Sequence, residues 1–421
     1  MAEAKQPSDR PSSKALKPAP CFLPKAKGKA MNHPQHLENR RIPKRFYFLT
    51  ALIYLPIISA LVLIHALWYG YLLAVFSFVM LLWMRHTALW QRFRIPLCFA
   101  VAFMVAFFGL YWSRPQHDVS LMGQIGRESI RFFMRLPIDD PLARSGELMT
   151  VSTWKAPEGY QMETAQLSHS KLEILTRRES RSRFAVLQLH GGAFVSGIND
   201  IYLAFAKRYC DLTGGALVAT LDYRLWPPHD YPSQREDVWD AWRYLTHTLG
   251  YLPENILVVG DSAGGNLALS LGLRLRDLGR PLPRGFICMS PWGDLSNSGP
   301  SHLTNATRDP TFGIPAQSFD GTPVGVPTTY AKGRDLTDPY LSPSFGDYGS
   351  FPPMLLQASS NEVLLSDSER IYQNALAHGV DCTFTVYQDL FHVFQASLDL
   401  TPESKEAWEE IRLFLERVMA H

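Results

Sequence analysis

The sequence predicts an α/β fold with a mostly parallel central sheet and helices on both faces. Between residues 181 and 421, short apolar runs rich in β-branched residues alternate with longer segments of helical composition. Such apolar runs are typical of strands buried on both faces, and their alternation with helices favours parallel pairing. Small and polar residues directly follow several runs, at the edge where parallel sheets carry their functional groups.

The predicted elements of this region follow from composition and from the positions of proline. Two prolines at 227–228 and another at 232 exclude a helix before about residue 234. The expected strands are 184–189, 216–221, 255–259, 285–289, 354–358 and 382–387. The expected helices are 202–211, one from about 234, 267–278, one from 363 and 403–419.

The first 112 residues have a different composition. Residues 1–45 carry eleven Lys or Arg against three acids and are rich in Pro and Ser, which predicts a disordered basic tail. Residues 46–84 contain no charged residue, and at about 1.5 Å per residue they exceed one bilayer core of about 30 Å. We therefore expect a transmembrane region at 46–112, with spans at 46–66, 68–84 and 95–112; the alternative is a buried helical hairpin.

Positive charge predicts the orientation of these spans. The basic tail and the basic 85–94 loop should both remain in the cytoplasm, so the third span carries the following residues across the membrane. The expected location is a multi-pass membrane protein with a cytoplasmic N-terminus, a periplasmic or otherwise extracytoplasmic main domain and the lipid bilayer as a partner. A single re-entrant element at 46–84 would reverse this orientation. The net charge of +2 gives no argument for nucleic acid.

Residues 113–180 are expected to form a linker, a cap and edge strands. Residues 125–134 are amphipathic, which fits either a cap helix or a helix on a membrane surface. Residues 171–175 alternate as an edge strand does, and the irregular region 294–350 is expected to shape a substrate pocket. Cys210, Cys288 and Cys382 have no metal-binding spacing, so no metal site is predicted.

The segment Gly260–Gly264 predicts a nucleophilic serine. It joins the apolar run 255–259 to a helical segment, so Ser262 lies on a sharp strand-to-helix turn. Small residues on both sides are needed there, because a tight turn leaves little room beside the hydroxyl. The helix N-terminus that follows favours a developing oxyanion. The pattern by itself also fits an ordinary turn that starts a helix.

An oxyanion hole is predicted in the loop that follows the first buried strand. Gly191 and Gly192 come directly after that strand, and adjacent glycines allow their N–H groups to point at one place. With the N–H of Ala263, they are the predicted oxyanion donors. His190 precedes the glycines and is expected to brace the loop by hydrogen bonding.

A carboxylate and a histidine complete the predicted site. His392 follows the run 382–387, and two carboxylates are candidates for its partner. Glu362 follows the run 354–358 directly and is favoured; Asp367 lies at the start of the next helix, where an acid also complements the helix dipole. The order serine, acid, histidine is that of the α/β-hydrolase fold.

Five segments together resemble the hormone-sensitive-lipase family of α/β-hydrolase esterases. They are His190–Phe194, Asp222–Leu225, Gly260–Asn266, Asp338–Pro343 and Phe351–Pro353, and the resemblance covers about residues 180 to 400. It implies hydrolysis of carboxylic esters without a metal or cofactor, and a helical cap formed by residues before the first strands. The three predicted spans lie outside the shared region.

This chain departs from the family pattern at two positions. Ala193 replaces the third glycine of the oxyanion loop, and Glu362 stands where the family has aspartate. The sequence nevertheless predicts a membrane-anchored serine carboxylesterase or deacetylase that cleaves small-molecule or lipid esters through a Ser-His-Glu triad and an acyl-enzyme. The alternatives are an acyltransferase or amidase with the same triad, or a ligand-binding relative without catalysis.

Overall fold

A computed structural model describes residues 44–63, 66–84, 96–113, 118–134, 153–313 and 330–420. The predicted basic tail lies outside these residues except for Lys44 and Arg45, which begin the first helix. The strands are β1 (Tyr160–Gln166), β2 (Lys171–Arg177), β3 (Ala185–Leu189), β4 (Leu217–Asp222), β5 (Ile256–Asp261), β6 (Gly285–Met289), β7 (Met354–Ser359) and β8 (Cys382–Tyr387).

The described helices are named in chain order. They are α1 (Lys44–Leu63), α2 (Trp68–Met84), α3 (Pro96–Ser113), α4 (Leu121–Met134), α5 (Asp200–Leu212), α6 (Ser233–Arg243), α7 (Ala263–Asp277), α8 (Ser301–Thr304), α9 (Leu365–Ala377) and α10 (Pro402–Met419). The predicted strands and helices after residue 181 are confirmed, with bounds that differ by a few residues.

The strands form one sheet in the order β1-β2-β4-β3-β5-β6-β7-β8. β2 pairs antiparallel with both β1 and β4, and every pairing from β4 to β8 is parallel. Every residue of β3, β5, β6 and β7 is buried, which explains why the sequences of these strands are mostly apolar and do not alternate with polar residues. The mostly parallel sheet predicted from the sequence is confirmed.

Helices cover both faces of the sheet, and each face has its own core. Successive residues of a strand point to opposite faces, so Leu187 of β3 packs in the core under α6, α7 and α9. Its neighbour Val186 packs in the core under α5 and α10. The loops at the carboxyl ends of β3, β5, β6, β7 and β8 are therefore supported from both sides.

The three N-terminal helices nearly coincide with the spans that the sequence predicts at 46–66, 68–84 and 95–112. In the described residues, no helix is long and apolar enough to cross a membrane. α2 has 17 residues and α3 has 18, so each extends about 26 to 27 Å against a bilayer core of about 30 Å. α1 begins with two cations and contains Pro56. The predicted spans are therefore not supported.

α4 lies against the loop that follows β8, residues 388–393, here called the histidine loop. Val119, just before α4, is buried in a small apolar cluster with Leu390, Phe391 and Phe394, and Ile130 packs against the same cluster. The sequence left this segment open as a cap helix or a membrane-surface helix. Its contacts with the catalytic domain are those of a helix that covers the carboxyl edge of the sheet.

Candidate active site

Ser262 occupies the sharp turn between β5 and α7. Its backbone has φ 52° and ψ −122°, a region that non-glycine residues rarely adopt. The turn is held by hydrogen bonds to its backbone: its N–H donates to the carbonyl of Met289 at 2.9 Å, and its carbonyl accepts from Asn266 at 3.1 Å and Trp292 at 3.0 Å. Backbone strain at this serine is thus offset by contacts from two segments, α7 and the end of β6 with the loop that follows it.

The glycines around Ser262 are needed because backbones approach closely there. A methyl group at Gly264 would lie 2.0 Å from the carbonyl oxygen of Leu189 in β3. A methyl group at Gly260 would lie 2.4 Å from the carbonyl oxygen of Gly264. Any larger residue would therefore push α7 away from the sheet, and the serine would move with it.

His392 and Glu362 form a buried pair. Nδ1 of His392 lies 2.6 Å from Oε2 of Glu362, and the glutamate side chain is fully buried. The other carboxylate oxygen accepts hydrogen bonds from Oγ of Ser290 at 2.7 Å and from the N–H of Ser359 at 2.6 Å. With Nδ1 directed at the carboxylate, Nε2 of His392 is buried and has no hydrogen-bond partner among the described residues.

The charges around His392 favour its protonated form. Burial lowers the pKa of His392, but the hydrogen bond and negative charge of Glu362 raise it more. Asp309 and Asp261 add to the rise, so the pKa of His392 lies above its ordinary value of 6.5. The site therefore stabilises an imidazolium, as a general base requires in the transition state.

The alternative acid, Asp367, pairs with a different histidine. Its Oδ1 lies 3.0 Å from Nε2 of His302, and its Oδ2 accepts the N–H groups of Gly293 and Asp294 at 3.0 Å. Burial raises the pKa of Asp367 to about 6. The alternative in which Asp367 orients His392 is therefore not supported, because this carboxylate is committed to His302 and to the loop after β6.

Ser290 links the serine turn to the histidine–glutamate pair. The residue before it, Met289, accepts the N–H of Ser262 at the end of β6. Oγ of Ser290 donates to Glu362 and accepts the N–H of Val393 at 3.3 Å. Three loops at the carboxyl edge of the sheet thus meet at one hydroxyl, a contact that the sequence analysis did not identify.

The N–H of Gly191 does not fit the oxyanion role that the sequence predicts for it. It lies 3.0 Å from Oη of Tyr202 and 3.2 Å from Oδ1 of Asp261, which both accept from it. Tyr202 in turn donates to the other oxygen of Asp261 at 3.1 Å. This N–H holds the loop against α5 and the end of β5, so the prediction that it is an oxyanion donor is not supported.

The next two N–H groups along the loop are the better candidates. Gly192 has φ 100° and Ala193 has φ 52°, and the N–H of neither donates to an acceptor in the described part of the chain. Ala263 is the first residue of α7, where an N–H has no partner within its own helix. The sequence analysis missed Ala193, although its place directly after Gly192 could have identified it.

His190 braces the oxyanion loop, as predicted. Its Nδ1 lies 2.8 Å from the carbonyl of Gly191, and its ring stacks on Tyr223 with centroids 4.0 Å apart. Tyr223 donates a hydrogen bond to the carbonyl of His190 at 2.9 Å. Burial lowers the pKa of His190 to about 4, so the ring is neutral at pH 7.

A turn from the irregular region lies beside His392. The phenyl ring of Phe312 is tilted over the imidazole, with centroids 4.8 Å apart. Asp309 holds this turn, because its Oδ1 accepts the N–H of Phe312 at 3.0 Å and its Oδ2 accepts that of Val363 at 2.8 Å. Nothing in the sequence of this region distinguishes Asp309 or Phe312 from its neighbours.

Comparison with known proteins identifies the family. A family model described as the alpha/beta hydrolase fold matches residues 186–396. The chain belongs to this α/β-hydrolase family. An acetyl-hydrolase of Streptomyces hygroscopicus is 35% identical over 55% of this chain and 74% of its own length. An esterase of Acinetobacter venetianus is 32% identical over 60% of this chain and 83% of its own length.

Solved structures agree with this assignment. An esterase from the bacterial hormone-sensitive lipase family is 30% identical, with a TM-score of 0.60 over 71% of this chain and 98% of that one. An esterase/lipase from an uncultured bacterium is 31% identical, with a TM-score of 0.62 over 70% of this chain and 97% of that one. The α/β-hydrolase described here is therefore a serine ester hydrolase of the carboxylesterase type, similar to hormone-sensitive lipases.

The family match covers residues 186–396 and leaves the N-terminal helices outside it. Every candidate site residue, from Gly191 to His392, lies within residues 186–396. The helices α1 to α4 precede the matched segment.

Proposed function

We propose that Ser262, His392 and Glu362 form the catalytic triad of this esterase. The observation that carries the proposal is the 2.6 Å contact between His392 Nδ1 and Glu362 Oε2, which leaves Nε2 without a partner in the described residues. This nitrogen is the one that a nucleophilic hydroxyl requires. Ser262 lies at the same sheet edge, joined to the pair through Ser290.

The proposed reaction has two halves. Oγ of Ser262 attacks the acyl carbon while its proton passes to Nε2 of His392, and the carbonyl electrons move to oxygen. The tetrahedral intermediate then expels the alcohol, which takes the proton from His392 and leaves an acyl-enzyme. Water repeats the attack with His392 as base and releases the carboxylic acid. Glu362 remains ionised and stabilises the imidazolium in both halves.

The proposed oxyanion donors are the N–H groups of Gly192, Ala193 and Ala263. The first two have no protein acceptor in the described residues, and the third lies at the start of α7. The partial positive charge of the helix N-terminus favours an oxyanion at the same place. Loss of one such donor costs about 3 to 4 kcal/mol of transition-state stabilisation in other serine hydrolases.

Replacement of the serine tests the triad. We expect Ser262→Ala to reduce hydrolysis of p-nitrophenyl acetate by at least about 10³-fold and to abolish labelling by a fluorophosphonate. Ser168→Ala, in the exposed turn between β1 and β2, is the matched control. Unchanged turnover by Ser262→Ala would refute the triad. Product analysis with added alcohol, and with amide substrates, separates ester hydrolysis from acyl transfer and amidase activity.

We further propose that α1 to α3 hold the esterase at a lipid bilayer and that lipid esters are among its substrates. These helices expose large apolar side chains, including Leu55, Phe76 and Phe103, and the aromatic rings of Trp68 and Trp112. Exposure of many large apolar side chains is unfavourable in water and is typical of a region that meets a membrane or another protein. Of these two partners, we propose that α1 to α3 meet the membrane.

Cell fractionation and a reporter fusion test this location. We expect the full chain to sediment with the membrane fraction, and its recovery in the soluble fraction would overturn the proposal. The charge distribution predicts that the catalytic domain lies outside the cytoplasm. A reporter fused after Trp112 should then be active only in its exported form, and cytoplasmic activity would reverse the orientation.

A further inference from the structure

The N-terminus of α4 is held against the catalytic domain by hydrogen bonds between its N-cap residue and α10. Oγ of Ser120 accepts the N–H of Gly123 at 3.0 Å, as an N-cap serine does. The N–H and Oγ of Ser120 both donate to the carboxylate of Glu403, in the first turn of α10, at 2.5 and 2.9 Å. In a capping box, the side chain that accepts the N–H of the N-cap residue comes from the third residue of the same helix, whereas here it comes from Glu403 of α10. The third residue of α4 is Gly123, where a methyl group would lie 3.2 Å from both oxygens of Glu403.

Arg127 connects α4 to the histidine loop. Its guanidinium is almost fully buried, with 8% of the side chain exposed. Nη1 donates to the carbonyl of Asp389 at 3.0 Å, and Nε lies 2.8 Å from the carboxylate of Glu128. The helix backbone also passes close to the loop, since a methyl group at Gly126 would lie 3.3 Å from the ring of Phe391. A buried guanidinium requires such partners, so its geometry is tied to the loop.

Arg131, one turn further along α4, reaches the other segment beside the imidazole. Its Nη1 lies 3.0 and 2.9 Å from the two oxygens of Glu128, and its Nη2 donates to the carbonyl of Arg308 at 2.8 Å. The next residue, Asp309, holds the turn that presents Phe312 to the imidazole. One buried glutamate thus orients two arginines, and each arginine binds a backbone carbonyl of a different loop.

The turn that Arg127 holds is strained. Asp389 has φ 52°, a conformation that persists only where its surroundings impose it. Its N–H donates to Oγ of Ser360 at 2.9 Å, its carboxylate lies 3.2 Å from Arg308, and its carbonyl accepts from Arg127. Three residues later the chain reaches His392, so displacement of this turn moves the imidazole relative to its carboxylate.

We propose that Arg127 and Arg131 of α4 are positioning residues of the esterase. Arg127 holds the histidine loop, which carries His392, and Arg131 holds the turn at residues 308–312, which lies beside the imidazole. The proposal rests on the proposed triad. Neither arginine contacts the reacting atoms, and both act through backbone carbonyls, at Asp389 and Arg308. It follows that the catalytic geometry is completed by a helix outside the matched hydrolase segment.

Kinetics of full-length Arg127 variants test this proposal. We expect Arg127→Ala to lower kcat about 10- to 100-fold, because small misplacement of a catalytic group has effects of this size. KM for p-nitrophenyl acetate should stay within about twofold, since the lost interaction acts in the transition state. Arg127→Lys should recover part of kcat, because its ammonium can donate to the same carbonyl. Active sites are counted by fluorophosphonate titration, so that unfolded protein does not enter kcat.

A control and a second variant make the outcomes decisive. Arg412→Ala removes an exposed arginine of α10 and should leave kcat and KM unchanged. If Arg127→Ala does not fold, Arg131→Ala provides the same test through the other loop, with a similar expected loss of kcat. Wild-type kcat in the folded arginine variants overturns the positioning role. An inactive, unlabelled wild-type protein would instead overturn the proposed triad.

Discussion

At the scale of single residues, the site depends on two buried carboxylates that have different partners. Glu362 meets His392, and Asp367, five residues later, meets His302. Both carboxylates accept backbone N–H groups as well, Glu362 from Ser359 and Asp367 from the loop after β6. Two carboxylates five residues apart therefore differ in role: the first belongs to the proposed triad, and the second holds His302 and the loop after β6.

Removal of the charge at Glu362 should slow catalysis without loss of the fold. We expect Glu362→Gln to reduce kcat by about 10²- to 10⁴-fold, because the imidazolium loses its stabilising partner and the ring its fixed tautomer. Glu362→Asp keeps the charge on a shorter side chain and should retain more activity than the amide. Steady-state kinetics on p-nitrophenyl acetate measure both variants. Full activity in the glutamine variant would show that another group supports His392.

The pH dependence of the esterase should report the same pair. In the proposed mechanism the base form of His392 is the active one, so kcat/KM falls as pH drops through the pKa of His392, which Glu362 raises above 6.5. Asp309 and Asp261 contribute to the same rise, and burial opposes it. Glu362→Gln removes the main upward contribution and leaves the burial. The acid limb of its profile should therefore move to lower pH, and a shift to higher pH would contradict the assignment.

Asp367 should matter for stability rather than for chemistry. Asp367→Ala leaves the buried N–H groups of Gly293 and Asp294 and the ring of His302 without their acceptor. Each unsatisfied buried donor costs about 1–3 kcal/mol, so we expect a loss of about 3 kcal/mol or more in the free energy of unfolding. Urea denaturation measures this, and kcat per titrated active site should remain within about twofold. A selective loss of kcat would return Asp367 to the catalytic site.

At the scale of elements, the junction of β3, β5 and α7 decides whether the nucleophile is presented at all. α7 begins directly after Ser262 and packs its first turn against the end of β3. That approach is possible because a glycine faces the carbonyl of Leu189. The glycines around the serine are therefore required for the packing of β3, β5 and α7 as well as for the turn itself.

Gly264→Ala should disrupt this junction. Its methyl group would lie 2.0 Å from the carbonyl oxygen of Leu189, a backbone atom that cannot move without the sheet. We expect a large loss of thermal stability and of active-site titre. Gly197→Ala is the matched control, since its methyl group would meet no atom closer than 3.6 Å, in ordinary contact. Equal stability of the two variants would show that α7 can shift without consequence.

At the scale of the whole molecule, the sheet lies between two apolar cores, and each core supports a different set of helices. The core under α6, α7 and α9 supports the nucleophile helix, and the core under α5 and α10 supports the opposite face. Trp408 of α10 is 1% exposed, packs edge-on against Phe205 and Tyr209, and donates its indole N–H to the carbonyl of Gln395 at 3.0 Å. α10 thereby closes the face of the sheet away from α7.

Trp408→Ala should separate stability from catalysis. Truncation of a buried tryptophan costs about 3–5 kcal/mol through the cavity that it leaves. We expect a loss of this size in urea denaturation, with kcat per titrated active site within about threefold of wild type. Trp408→Phe, which fills most of the space, should recover more than half of the stability. Unchanged stability of the alanine variant would mean that α10 contributes little to the core.

Much of the hydrolase fold was predictable because its signals are local. Mostly apolar runs predicted β3, β5, β6 and β7, which are buried throughout. Prolines at 227–228 and 232 set the start of α6. The three predicted spans were not supported, because charge-free composition indicates where an apolar helix lies and not whether it is long enough to cross a bilayer. α2 and α3 end after 17 and 18 residues.

The sequence by itself determined the alternation of strands and helices, the strained serine turn and the order of serine, acid and histidine. These depend on side-chain period, on small residues and on proline, which act over a few neighbours. The tertiary structure alone decided that His392 pairs with Glu362, that the N–H of Gly191 is already used, and that arginines of α4 reach the histidine loop. Such contacts join residues far apart in the chain, and their distances follow from how the sheet and helices pack rather than from any local pattern.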